Sequence, residues 1–311
     1  MKPVEFLSIL STQVSGVNLK SFQKLHSLID IYDLKKDPRM IFGDQLPEKL
    51  SENWFDKVLH EYDLFQKNNI HHIYPDHPLY PKDFKTLEKP PLFLSMLGDI
   101  SCLNRDKISV VGSRYPTSAV LEWMDVYLDP IVKDDIVIVS GAARGIDQKA
   151  HSISLKSSKP TIAFLPSGLG EIYPKEFARW KDRITDCGGL LISEYAHDQS
   201  IHSHHFHERN RMIAKLGLFL LVCEARRKSG STMTARLAIE NSKTVCVLPG
   251  FPTSKNSQGC LDLLFQGALP IRDSDDLKVL IEAEKMSTQR NLQRNLFIPD
   301  LFQGIERSYK E

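Results

Sequence analysis

Hydrophobic residues in the middle of the chain recur in short continuous runs, with amphipathic stretches between them. The runs are ISVV (108–111), IVIVS (136–140), TIAFL (161–165), LLIS (190–193), LFLLV (218–222) and TVCVL (244–248). Continuous apolar runs separated by helical patterns are typical of parallel strands that are covered on both faces. The pattern therefore predicts an α/β fold, a Rossmann-like doubly wound and mainly parallel sheet, over residues 105–284.

The flanking segments have different patterns. Residues 1–70 carry helical periodicity in FLSILSTQV, LKSFQKLHSLIDIY and WFDKVLHEYDLFQKNN, which predicts a small helical N-terminal domain. Residues 71–104 begin with a proline-rich stretch and are expected to form an extended connector that starts the α/β domain. After a last helix at 274–284, residues 285–311 are expected to be a C-terminal tail, too short for a winged-helix domain.

Composition is that of an ordinary globular protein, with 41% hydrophobic and 25% charged residues among 311. The net charge of +1 selects no partner, but residues 105–272 hold 22 Lys and Arg against 17 Asp and Glu. No apolar run is long enough to span a membrane and the first residues do not resemble a secretory signal, so a cytoplasmic location is expected. The five cysteines form no CxxC pair and are expected to be reduced.

Loops that follow the predicted strands carry the candidate chemistry. In open parallel sheets, ligands bind at the carboxyl ends of the strands. The loops there are GSR (112–114), SGAARGID (140–147), PSGLGEIYP (166–174), SEY (193–195), EARRKSGST (224–232) and PGF (249–251). Glycines expose backbone N–H groups and helix N-termini add positive potential, so the loops predict an anion-binding rim. Its basic members are Arg114, Arg144, Arg226, Arg227 and Lys228. Taken alone, each glycine remains equally consistent with a simple chain turn.

Familiar catalytic motifs are missing from the sequence. There is no GxxxxGK[ST] loop, no GxSxG elbow and no pair of carboxylates in the loops, so we predict neither catalytic residues nor a cofactor. Residues 197–211 hold five of the eleven histidines, but their spacing matches no metal site, and no metal is predicted. Phe206 beside Arg209 and Arg211 would suit a stacked base and its phosphate. Alternatively, Phe206 is a core residue and one arginine pairs with a carboxylate.

Taken in order, these motifs resemble the DNA-processing protein A family (DprA/Smf). The resemblance rests on VVGSRYPT, SGAARGIDQKAH, TIAFLPSGLGEIYP, GGLLISEY, FHERNRMIAKL, EARRKSGSTMTARLAIE, VLPGFP and QGALPI, and the match as a whole spans roughly residues 75–272. It implies a homodimeric protein that binds single-stranded DNA without hydrolysing it. It also implies that the protein helps to load a RecA-type recombinase on incoming DNA during natural transformation.

The resemblance assigns DNA-binding roles residue by residue. The motifs imply one phosphate site, a DNA-facing loop, a second phosphate-facing turn and one further lysine, and the basic rim adds two residues. In that order the candidates are Gly112, Ser113, Arg114, Ser140, Gly141 and Gly145; Phe206, Arg209, Asn210 and Arg211; Ser229, Gly230 and Ser231; Lys149; and Arg144 and Lys228.

Three departures from the family pattern stand out. His207 replaces a proline, Ser203 replaces a lysine found in many relatives, and QGCLDLL (258–264) replaces a glycine-rich turn. Loss of the lysine predicts weaker DNA binding, or pH-dependent binding if the histidines substitute for it. The alternative function is a nucleotide-metabolising enzyme of the nucleoside-monophosphate phosphoribohydrolase type. Such enzymes share the frame but carry a PGGxGT-type loop, where this chain has PSGLGEIYP and PGFPTSK.

Overall fold

The computed structural model of the chain describes residues 1–13, 31–36 and 53–303. Over these ranges the strands are β1 (His71–Ile73), β2 (Leu94–Gly98), β3 (Lys107–Val111), β4 (Val137–Gly141), β5 (Thr161–Phe164), β6 (Leu190–Ser193), β7 (Phe219–Val222), β8 (Thr244–Val247) and β9 (Leu269–Pro270). The helices are α1 (Pro3–Leu10), α2 (Ile31–Lys36), α3 (Trp54–Lys67), α4 (Ser118–Lys133), α5 (Ile146–Lys156), α6 (Lys175–Ala178), α7 (Lys181–Asp186), α8 (His205–Leu216), α9 (Gly230–Glu240), α10 (Gln258–Phe265) and α11 (Ser274–Gln303).

The described strands form one sheet in the order β1-β2-β6-β5-β4-β3-β7-β8-β9. The six apolar runs are β3 to β8, and every neighbouring pair among them is parallel. Among the six parallel strands, β3 comes first in the sequence and lies in the middle of the sheet. β4, β5 and β6 follow outward on one side of β3, and the chain then returns to place β7 on its other side. This reversal confirms the doubly wound fold, and it opens a crevice between the carboxyl ends of β3 and β7.

Helices cover both faces of the sheet because each strand is apolar on both sides. Ile108 and Val110 point to one face, where they pack with Met124 of α4 and Leu277 of α11. On the other face Val111 packs with residues of α8, α9 and α10. Side chains alternate between faces along a strand, so a continuous apolar run supplies two cores.

The segment expected to be an extended connector contributes two strands to the sheet. β2 pairs antiparallel with β6, with Met96 opposite Ile192, and β1 pairs antiparallel with β2. A short 3₁₀ helix at Lys82–Thr86 lies between them. The six-strand prediction therefore omitted this edge, because its strands are short and separated by prolines.

The described N-terminal helices pack directly on the sheet. Phe6 of α1 and Phe55 and Phe65 of α3 belong to the same buried cluster as Ala163 of β5 and Leu191 of β6. Most of the predicted helix in LKSFQKLHSLIDIY lies outside the described residues.

Two predictions near the C-terminus were wrong. QGCLDLL lies in helix α10 rather than in a turn, and its start is fixed by the Gly259 N–H, which donates to the Ala225 carbonyl at 2.8 Å. The last helix does not stop at residue 284 but continues to Gln303. The sequence from 285 onward carries no proline until Pro299, so nothing local stops the helix at the predicted end.

No helix in the described ranges is long and apolar enough to cross a bilayer. The five cysteines are all unpaired, and only Cys187 is partly exposed.

Candidate functional site

A cleft of about 530 Å³ lies at the crevice between β3 and β7. Its walls come from the loops after β3, β4 and β7 and from the first turns of α8 and α9. The lining residues are Val111, Gly112, Ser113, Arg114, Tyr115, Ala143, Asp147, Ser203, Phe206, His207, Arg209, Asn210, Arg226, Ser229, Gly230, Ser231 and Thr234. Segments far apart in the chain therefore meet at the edge where the strand pattern predicted a ligand.

The GSR turn is locked to the loop after β4. The Ile146 N–H donates to the Ser113 carbonyl at 3.1 Å, and Gly145 has a φ of +81°. A Cβ atom at Gly145 would lie 2.3 Å from the Ser113 carbonyl oxygen, so only glycine allows this approach. The Ser113 hydroxyl in turn accepts the Tyr115 N–H at 3.1 Å. These contacts hold the backbone that carries the exposed Arg114.

Arg114 lies against an aromatic ring in the cleft. Its guanidinium carbon is 5.1 Å from the centroid of the Phe206 ring, within the range of a cation–π contact. Phe206 also meets Tyr173 edge-to-face, with the ring centroids 6.0 Å apart. An arginine and two aromatic rings are therefore side by side at the mouth of the cleft.

The N-terminus of α9 forms the opposite wall. Ser229 is its N-cap, and the Ser229 hydroxyl accepts the Thr232 N–H at 3.3 Å. A Cβ atom at Gly230 would meet nothing within 4 Å, so the backbone there is open. The first amides of a helix lack intrahelical partners and carry the positive end of the helix dipole, which suits a phosphate oxygen.

Two buried side chains of opposite charge, Arg209 and Asp147, belong to the lining of the cleft. Arg209 is 2% exposed, and its Nη1 donates to the Phe164 carbonyl at 3.0 Å. Asp147 is buried beside it, and burial raises the pKa of this carboxyl to about 6 although Arg209 acts in the opposite direction. A Cβ atom at Gly141 would collide with both side chains, at 1.6 Å from Arg209 Nη1, so that glycine makes room for the pair.

Several predicted residues lie outside the cleft lining. Ser140 is buried, with its hydroxyl donating to the Val110 carbonyl at 2.6 Å. The Lys149 ammonium pairs with Asp125 of α4 at 2.5 Å, on the opposite face of the sheet. Arg144 is exposed and pairs with Glu176, and Lys228 is exposed in the loop before α9.

Arg211 has a different role from Arg209, although the two are only two residues apart. Its guanidinium holds the Glu194 carboxylate with both terminal nitrogens, one of them at 2.7 Å, and its Nε donates to the Lys89 carbonyl at 2.9 Å. The Arg211 and Glu194 side chains are 15% and 18% exposed. One arginine of the motif therefore pairs with a carboxylate, as the alternative interpretation of this segment proposed.

Sequence reasoning missed some of the lining. Tyr115 is exposed at the mouth of the cleft and follows Arg114 directly, so it gave the same signal, an aromatic beside an arginine, that pointed to Phe206. Arg226 was placed on the basic rim but not among the binding candidates. Its Nε donates to Asn256 at 2.8 Å, and Asn256 Nδ2 donates to the Tyr115 carbonyl at 3.2 Å. No local signal identified Asn256, because its role depends on contacts between distant loops.

The histidine-rich segment is held by rings and backbone. His205 stacks on Tyr195 with centroids 3.9 Å apart, and its Nδ1 is 2.9 Å from the Pro166 carbonyl. His207 lines the cleft. Within the described residues, no group of three or more His, Cys, Asp or Glu side chains is arranged to hold a metal ion.

The two carboxylates near the cleft differ in their surroundings. Glu224 is buried after β7, where it accepts the Thr117 hydroxyl at 2.8 Å and the Thr117 N–H at 3.2 Å. Asp147 is buried among the residues that line the cleft, and its pKa is raised by burial and lowered by the nearby charge of Arg209.

Comparison with known proteins places this architecture among relatives. The family model for DNA recombination-mediator protein A matches residues 71–282. Protein Smf from Synechocystis is 35% identical over 237 residues, which cover 74% of this chain and 59% of that protein. The chain therefore spans about three fifths of the length of this curated relative.

Two solved structures share the fold. DNA processing protein A from Streptococcus pneumoniae matches with a TM-score of 0.72 and 27% identity, covering 90% of this chain and 98% of that one. DNA processing protein A from Helicobacter pylori, whose structure concerns its single-stranded DNA binding mode, matches with a TM-score of 0.62 and 30% identity. That match covers 69% of this chain and 96% of the Helicobacter pylori chain.

Proposed function

Because the chain belongs to the DNA recombination-mediator protein A family, we propose that it binds single-stranded DNA in the cleft between β3 and β7. The observation that carries the proposal is the exposed Arg114, held on a locked turn opposite the open N-terminus of α9. Two sources of positive potential thus face each other across the cleft. The Helicobacter pylori relative, described as binding single-stranded DNA, supports the same ligand class.

The aromatic residues favour an unpaired strand over a duplex. Phe206, Tyr115 and Tyr173 cluster at the mouth of the cleft with arginine beside them. Rings contact base faces only when the bases are unstacked, and each such contact contributes about 1–3 kcal/mol. In a duplex the base faces are already stacked, so only the phosphates remain to be bound.

We propose that the site binds without catalysis and without a cofactor. The Glu224 carboxylate accepts hydrogen bonds from Thr117, and the Asp147 carboxyl is buried with the charge of Arg209 nearby. The alternative, an enzyme acting on nucleoside monophosphates, would need a carboxylate directed at the substrate. No contact in the described part of the cleft favours that alternative.

The cleft-lining members of the predicted set are the proposed contacts: Gly112, Ser113, Arg114, Phe206, Arg209, Asn210, Ser229, Gly230 and Ser231. Gly141 would act indirectly, by making room for the Arg209 side chain. Direct DNA contacts by Ser140, Arg144, Gly145, Lys149, Arg211 and Lys228 stay predictions that rest on the family resemblance or on the basic rim.

We further propose a homodimer that loads a RecA-type recombinase during natural transformation, in the cytoplasm. The recombinase and the process rest on the family resemblance, and the location stays the expectation drawn from the sequence. The dimer has support from the open edge of the sheet at β9, where Phe265 is 91% exposed and Leu269 is 45% exposed. Large apolar side chains exposed beside an edge strand favour association with a second copy.

The experiment is a titration of labelled single-stranded and duplex oligonucleotides across a salt series. Wild type is compared with Arg114→Ala and with the control Arg227→Ala, whose exposed guanidinium pairs with Asp262 outside the cleft. Releasing one phosphate contact should make the slope of log affinity against log salt shallower by about one for Arg114→Ala alone. Turnover of a mononucleotide by a protein with no affinity for single strands would overturn the proposal.

A further inference from the structure

The face of Phe206 that a base would need is covered in the free protein. The Arg114 guanidinium lies over the ring, 5.1 Å from its centroid. Among the described residues Arg114 forms no ion pair, so the ring is its main partner. Tyr173 occupies a second side of the same ring.

A bound strand cannot use Arg114 and Phe206 fully while they remain in contact. A phosphate must draw the guanidinium toward its own oxygens, and a base must lie where the guanidinium now lies. Both movements break the same cation–π contact. A ligand that brings only a phosphate loses this contact and gains nothing from the ring, whereas a nucleotide with an unstacked base recovers the loss by stacking.

We infer that Arg114 and Phe206 form an exchange pair, closed on itself in the free protein, which selects ligands that offer a phosphate and an unstacked base together. The inference rests on the proposed function, because it assumes that the cleft takes a nucleic-acid strand. It adds a mechanism of discrimination between ligands. Duplexes and free phosphate must also break the cation–π contact between Arg114 and Phe206, but only an unpaired strand recovers that free energy by stacking a base on the ring.

Loss of the ring should therefore have opposite effects on two ligands. With Phe206→Leu, Arg114 is free before binding, so a strand without bases should bind more tightly. An exposed cation–π contact corresponds to about a two- to five-fold change in affinity. A strand with bases loses its stacking surface and should bind several-fold more weakly.

The test compares a short oligothymidylate with an abasic strand of the same length and charge. Affinities are measured for wild type, Phe206→Leu, Phe206→Met and the control Tyr173→Leu, which removes a neighbour of the ring but leaves the Arg114 contact. Circular dichroism and thermal melting verify the fold of each variant. We expect both Phe206 variants to strengthen abasic binding about two- to five-fold and to weaken oligothymidylate binding, and Tyr173→Leu not to strengthen abasic binding.

The outcomes separate this inference from the proposed function. If wild type binds neither strand, the proposed function fails. If wild type binds oligothymidylate but the Phe206 variants weaken both strands alike, or leave abasic binding unchanged, the exchange pair is overturned while the function stands. Loss of oligothymidylate binding in Tyr173→Leu alone would place the base on Tyr173 and would also overturn it.

Discussion

At the scale of single residues, neighbouring side chains of the same type have different roles. Arg209 is buried in the cleft lining and donates to the Phe164 carbonyl, while Arg211 holds Glu194 and the Lys89 carbonyl. Both arginines lie in helix α8, but residues two apart in a helix point to different faces. The sequence could indicate that this motif matters, and it could not indicate which arginine is bound by a carboxylate.

Arg211→Gln should lower the stability of the fold. Removing one partner of a largely buried ion pair leaves the other charge uncompensated, at a cost of about 3 kcal/mol. Chemical denaturation at neutral pH measures the free energy of unfolding. The matched control is Arg227→Gln, which breaks an exposed pair and should change stability by about 0.5 kcal/mol or less. Equal effects of the two substitutions would contradict the structural role of Arg211.

At the scale of secondary-structure elements, the parallel core was predictable and its antiparallel edge was not. β3 to β8 are continuous apolar runs, so burial on both faces is written locally in the sequence. β1 and β2 depend on pairing with β6 across a proline-rich segment, and α10 depends on a contact with the Ala225 carbonyl. The glycine loops of the site were likewise predictable, whereas the proximity of Asp147 and Arg209 arises between distant elements.

Gly145→Ala should disturb the interlock between the loops after β3 and β4. The new Cβ would lie 2.3 Å from the Ser113 carbonyl at a backbone φ of +81°, which should cost about 1–3 kcal/mol. We expect the 113–114 backbone to move and single-strand affinity to fall more than stability alone explains. The comparison is with Gly188→Ala, a glycine outside the cleft lining with a φ of +71°, where a Cβ would approach nothing closer than 3.9 Å. Unchanged affinity in Gly145→Ala would show that Arg114 needs no locked turn.

The contact between α3 and the loop after β6 should be sensitive to pH. Glu61 is buried and accepts the His197 N–H at 2.5 Å, and burial raises the pKa of its carboxyl to about 7. A carboxyl with a raised pKa binds its proton more tightly in the folded protein. Its stabilising contribution is therefore present below about pH 4.5 and is lost as the pH rises through about 7.

Glu61→Gln mimics the protonated form at every pH. We expect the variant to be more stable than wild type at pH 8 by about 1–3 kcal/mol, and its stability to vary less between pH 5 and 8. Denaturation curves at several pH values measure both effects. Asp63→Asn, an exposed substitution on the same helix, serves as the control. If the free energy of unfolding of the wild type does not fall between pH 5 and 8, the raised pKa of the Glu61 carboxyl is refuted.

At the scale of the whole molecule, topology rather than net charge creates the site. The net charge is only +1, yet the doubly wound order brings the loops after β3, β4 and β7 and two helix starts to one crevice. The proposed attraction for a DNA strand therefore comes from groups at this crevice and not from the overall charge. The lateral edge of the sheet at β9 is left for another contact.

Phe265→Asp should weaken self-association through that edge. Phe265 is 91% exposed at the end of α10, so the substitution removes no internal packing and should leave the monomer folded. Light scattering after size-exclusion chromatography should give a dimer for wild type and a monomer for the variant. Phe251→Asp, at an exposed aromatic in the loop after β8, provides a comparison. A wild type that is monomeric at all concentrations would contradict the proposed dimer.

In the proposed function, one DNA strand lies in the cleft between β3 and β7. Photocrosslinking tests it most directly, with a single-stranded oligonucleotide that carries iododeoxyuridine and with mass spectrometry to identify the linked peptides. We expect crosslinks to peptides that contain Phe206, Tyr115 or Tyr173, and we expect these crosslinks to be lost on competition with unlabelled single strands. Crosslinks confined to α11 or to the β9 edge, with none in the cleft, would contradict it.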